Sequence, residues 1–152
     1  MRKQFAILFC AALLAFGAHA GTALARDGLY RSVVVDTSRL AMKGDTYLAA
    51  SLKPMLAGEL SKALGPRLGR HGGKLVVSII SIRIPPTAGD SHADEASADR
   101  LEAVVTVPGR GSFPILIQLP PSGAGAWYAE NNDQRRVYRL IEALAQWTAR
   151  KV

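Results

Sequence analysis

Eleven consecutive residues, Lys74 to Ile84 (KLVVSIISIRI), carry large aliphatic side chains on both faces of an extended chain. Val76, Ile80, Ile82 and Ile84 fall on one face with Ser78, and Leu75, Val77 and Ile79 fall on the other with Ser81 and Arg83. The pattern predicts a strand that ends at Pro85-Pro86. A second alternating run begins at Arg100, with Leu101, Ala103, Val105 and Val107 in phase. It breaks at Pro108-Gly109-Arg110-Gly111 and resumes through Phe113, Ile115, Ile117 and Leu119. This is the pattern of a β-hairpin, and Pro114, which has no N–H for a ladder, places its second strand at a sheet edge. Upstream, the β-branched triplet in Leu29 to Asp36 (LYRSVVVD) predicts a further strand, buried on both faces or central in the sheet.

Two segments have helical spacing instead. After Asp45, a plausible N-cap, Leu48, Leu52, Met55 or Leu56, Leu60 and Leu64 recur every three or four residues, and Gly65-Pro66 supplies a stop. Pro54 inside this run predicts a kink or a late start near Ser51. Asn131 or Asn132 opens the second helix, with Gln134 completing a capping box from Asn131. Its stripe is Val137, Leu140, Ile141, Leu144, Ala145 and Thr148, while Arg135, Arg136, Arg139, Glu142 and Arg150 face water. The order β-α-β-β-β-α predicts an α+β two-layer sandwich: a four-stranded mixed, largely antiparallel sheet with two helices on one face. Ser78, Glu102, Thr106 and Gln118 then belong to the open, partner-facing side.

The first 25 residues read as a cleaved secretory signal peptide. Arg2 and Lys3 precede the apolar run Phe5 to Ala18, and small-x-small sites end at Ala20 and Ala25. Residues 26–152 then form a single domain, periplasmic or secreted, with no transmembrane span. Cys10 lies inside the apolar run after Phe9 and does not suit lipidation. Its loss leaves a chain without cysteine, which excludes disulfides, thiolate ligands and cysteine nucleophiles. Removing Arg2 and Lys3 lowers the net charge from +7 to about +5. The remaining cations are scattered, and no nucleic-acid partner is expected.

Candidate sites are few. Thr87 to Asp99 (TAGDSHADEASAD) has no large apolar residue and reads as an exposed loop. Its Asp90, His92, Asp94 and Glu95 are weak metal candidates without EF-hand or paired-histidine spacing, so neither metal nor cofactor is expected. Leu64 to Lys74 (LGPRLGRHGGK) combines glycines with Arg67, Arg70, His71 and Lys74. It lacks the ending of a phosphate-binding loop and reads as a helix C-terminal turn with cations near the negative dipole end. Arg135, Arg136 and Arg139 form a basic strip suited to anionic lipid, glycan or an acidic partner, and cations in a first helical turn oppose the dipole. Trp127 and Tyr128 suit either a loop that clamps a partner or a plug for the open end of the sandwich, a part Trp147 would share. Neither His71 nor His92 sits in a motif that positions a nucleophile.

The segments LKPMLAGELSKALG, KLVVSIISIRI, the hairpin strands and RRVYRLIEALAQWTARK resemble the small α+β domains of bacterial envelope-assembly and transport accessory proteins, including auxiliary components of ABC-type transporters. The resemblance implies a partner-binding role and supplies no catalytic residues. The expectation is therefore a non-enzymatic accessory protein acting on an envelope protein. The alternatives are a binder of anionic glycan or lipid through the arginine strip and a small secreted hydrolase.

Overall fold

A computed structural model describes residues 29–86, 98–124 and 130–152. The leader, the metal candidates Asp90, His92, Asp94 and Glu95, and the pair Trp127 and Tyr128 lie outside the described residues. The elements are β1 (Tyr30–Asp36), α1 (Ser38–Met42), α2 (Thr46–Leu64), β2 (Gly73–Arg83), β3 (Asp99–Val107), β4 (Gly111–Leu119) and α3 (Asn132–Lys151). Short 3₁₀ turns cover Gly65–Arg67 and Pro121–Ala124. The sheet order is β1-β2-β3-β4: β1 runs parallel to β2, and the other pairs are antiparallel. This is the expected α+β fold, with α2 and α3 packed against the sheet.

The core lies between helices and sheet. Leu52, Leu56, Leu60 and Leu64, four residues apart, form one row on α2, each no more than 1% exposed. They meet Leu140, Ile141, Leu144 and Ala145 of α3 above Leu75, Val77, Ile79, Leu101, Ala103 and Val105 of the sheet. Each buried leucine contributes about 1.5–3 kcal/mol of transfer free energy. On the outer surface Tyr138 of α3 donates to Glu59 of α2 at 3.0 Å.

Several local expectations change. Pro54 neither delays nor ends α2, which is helical from Thr46; Pro54 and Ala50, whose carbonyl loses its helical donor, are both exposed, so water can solvate that carbonyl. Asn131 occupies the N-cap of α3 in a left-handed conformation (φ 62°), and its side chain makes no capping bond; the capping box requires an extended residue there. Strand β1 is an edge strand rather than a central one, and Val34 is 38% exposed on its uncovered side.

The largest correction concerns β2. Its pairing with β3 jumps from Ile79 opposite Ala103 to Ser81 opposite Glu102, so Ile80 is an extra residue, a β-bulge. Before it Leu75, Val77 and Ile79 face the helices. After it the phase reverses: Ile82 pairs with Leu101 and packs with Ile84 on the core, while Ser81 and Arg83 turn outward. A bulge disrupts the ladder locally, and Lys43, between α1 and α2, donates its Nζ to the Ile80 carbonyl at 3.2 Å. Entry into β2 is tight as well. Gly72 has φ 93°, and a Cβ there would collide with the Leu29 carbonyl, so only glycine fits.

Leu60 is fully buried between both helices and the sheet, so Leu60→Ala is expected to cost about 2–5 kcal/mol, read from the midpoint and slope of urea unfolding.

Candidate partner-binding face

The face of the sheet away from the helices is a lattice fixed by strand register. Val34, Val76, Thr106 and Ser112 form one cross-strand row, and Asp36, Ser78, Val104 and Pro114 form the next. Beyond them lie Ser81, Glu102 and Leu116, then Arg83, Arg100 and Gln118. All four expected open-face residues, Ser78, Glu102, Thr106 and Gln118, lie here. An apolar band crosses the face through Val34, Val76, Val104, Pro114 and Leu116. Leu116 is 53% exposed.

Polar groups around the band are held by one another. Thr106 Oγ1 and Ser112 Oγ are 2.7 Å apart. Asp36 Oδ1 accepts from the Ser38 N–H at 3.0 Å, and Asp36 Oδ2 lies 3.4 Å from the Ser78 hydroxyl. The Ser38 backbone N–H, then the Ser38 and Ser78 hydroxyls and the charge of Lys53, hold the Asp36 carboxyl below the ordinary carboxylate range against a smaller opposing effect of burial. With its amide oxygen turned toward Arg100, Gln118 accepts from Arg100 Nε and Nη2 at 3.1 and 2.6 Å. Fixed hydrogen-bonding groups around an exposed apolar band suit a protein surface that must also lose its water.

The arginine strip is not a surface strip. Arg136, expected to face water, has a side chain 0% exposed. Its Nε lies 3.0 Å from both carboxylate oxygens of Asp99, and its Nη2 lies 2.5 Å from Asp99 Oδ1. Nη2 also donates to the Pro85 carbonyl at 2.8 Å, and Nη1 to Asp133 Oδ1 at 3.1 Å. Burial opposes the charge, but the Asp99 and Asp133 carboxylates outweigh it and keep the guanidinium protonated. Arg139 is half-buried, donates to the Pro120 carbonyl at 3.3 Å and lies against Gly123. Arg135 is exposed and bonds the Glu130 carbonyl at 3.2 Å. The dipole-opposing cations of this first turn thus have partners inside the molecule.

Sequence parity contains the missed signal. Arg136 stands four residues before Leu140 in the row Leu140, Leu144, Thr148, and Asp99 shares the inward phase of Leu101, Ala103, Val105 and Val107. Trp147, expected to plug the sandwich, is 46% exposed, with the Arg150 guanidinium 5.4 Å above its ring. His71 is exposed between Arg70 and Lys74. Among the described residues, no group of three or more His, Cys, Asp or Glu could hold a metal ion.

Arg136→Met strands the buried Asp99 carboxylate and is expected to cost about 3–5 kcal/mol; adding Asp99→Leu should recover most of it, as a double-mutant cycle in urea checks. The depressed pKa of Asp36 stabilises the fold above its unfolded value and is lost as pH falls through the folded one. Asp36→Asn should therefore flatten the fall in thermal midpoint below about pH 4. The chain matches no protein-family model, no curated protein and no solved structure.

Proposed function

We propose that this chain is a non-enzymatic accessory protein of the bacterial cell envelope, periplasmic or secreted after loss of its leader, that binds a protein partner through the open face of its sheet. The observation that carries the reading is the band of Val34, Val76, Val104, Pro114 and Leu116, left uncovered by the helices and framed by mutually bonded polar groups. Burying such a band gains about 25 cal/mol per Å² of apolar surface, and the fixed polar frame gives orientation at low entropic cost. Pro114 also weakens β4 as a template for strand addition, which favours the face over that edge. No helix among the described residues is long and apolar enough to cross a membrane.

Affinity capture from crosslinked envelope tests the proposal. The parent chain is expected to bring down one membrane or secretion component in stoichiometric amount. The variant Val34→Glu with Leu116→Lys, both exposed positions, should lose it without a change in far-ultraviolet circular dichroism. Capture of the same component by that variant, or recovery of the parent alone, would overturn the reading.

A further inference from the structure

One end of the molecule gathers cations from four separate stretches of chain. Strand β1 begins there; the Tyr30 carbonyl accepts from the Gly69 N–H at 2.9 Å, and Tyr30 bridges Leu68. Strand β2 begins there, its Gly73 pressed against Pro108 of the β3–β4 turn. Helix α3 ends there, because Arg67 Nη1 donates to the carbonyls of Ala149 and Val152. Arg67 was expected to serve the C-terminus of its own helix, and it serves that of α3 instead.

These contacts bring together Arg31, Arg67, Arg70, Lys74, Arg110 and Arg150, with Lys151 and His71 beside them. Arg31 is the extra residue of a register shift in β1, and Arg110 sits in a tight turn closed by its own N–H to the Val107 carbonyl at 3.1 Å. Residues 29–32, 65–74, 107–111 and 146–152 contain no aspartate or glutamate. The nearest helical acids, Glu59 and Glu142, lie further back along α2 and α3. Asp36, Asp45, Asp99, Glu102, Glu130 and Asp133 all belong to the other end. Apart from Arg67, these cations make no ion pair or side-chain hydrogen bond among the described residues.

Two large apolar side chains stand among them: Leu29 is 63% exposed and Trp147 46%. A soluble polyanion would need only the charges. Basic residues around an exposed indole and a leucine match a headgroup layer, where tryptophan settles and long cationic side chains reach phosphate.

We propose that this basic pole is a docking surface for an anionic membrane, taking the phosphate headgroups of acidic lipids. It adjoins the open sheet face, where Lys74 stands one pleat before Val76, and orients that face toward a partner in or near the same membrane.

Vesicle sedimentation of the purified protein tests it, with phosphatidylglycerol mixed into phosphatidylcholine, phosphatidylcholine alone, and dextran sulfate as a soluble polyanion. The protein should partition onto the anionic vesicles and not the neutral ones. Arg70→Glu with Lys74→Glu and Arg110→Glu should weaken partition by about a hundredfold, at roughly fivefold per cation. Trp147→Ala should weaken it further, and Arg39→Glu with Arg135→Glu, at the other end, should leave it unchanged. Equal partition by the triple variant, or binding to dextran sulfate without binding to anionic vesicles, would overturn the proposal. Because all substituted positions are exposed, unchanged circular dichroism separates lost docking from lost folding.

Discussion

A single guanidinium holds three parts of the sheet and helix layers in place. Arg136, in the opening turns of α3, grips the carboxylate of Asp99 at the start of β3 and the carbonyl of Pro85 just past β2. Fully buried charge is costly unless every polar atom is matched, and here the planar fork meets a carboxylate, a carbonyl and a second carboxylate at once. Buried ion pairs of this kind generally add little net stability over apolar substitutes of similar volume, and what this one supplies is direction. Helix α3 can dock only where its first turn meets the ends of β2 and β3, and that sets which part of α3 covers the core.

The remaining order follows from connectivity. With α2 descending between two parallel strands and α3 returning after β4, both helices finish at the end where β1 and β2 begin. Basic residues in the α2–β2 connection, the hairpin turn and the α3 terminus, remote in sequence, therefore converge. Acidic residues sit where β1 ends, where β3 begins and where α3 starts. The separation of charge comes from topology acting on a modest net charge.

Period and turn chemistry made most of the architecture legible. The hairpin around Pro108 to Gly111, the edge position of the Pro114 strand and the leucine row of α2 all follow from spacing and from the missing proline N–H. The bulge at Ile80 did not, because an uninterrupted aliphatic run reads equally well in either phase, and only the β3 pairing decides which half faces the helices. Short α1 has one buried residue, Leu40, too few for a period to show. At the candidate face, Ser78, Glu102, Thr106 and Gln118 were legible from alternation, whereas the apolar band needed the register of all four strands. Arg136 was misread because charge suggested solvent, although its place in the row of Leu140, Leu144 and Thr148 argued for the interior.

The grip of Arg136 on both Pro85 and Asp99 also separates two kinds of sequence freedom. The two residues are the stems of the acidic stretch between β2 and β3, and one side chain from elsewhere in the molecule ties both down. Chain joining stems that are already pinned need not hold them together. Doubling its length costs only about 0.6 kcal/mol of closure entropy. The pairing of β2 with β3 and the docking of α3 are thereby insulated from changes in the length of that connection.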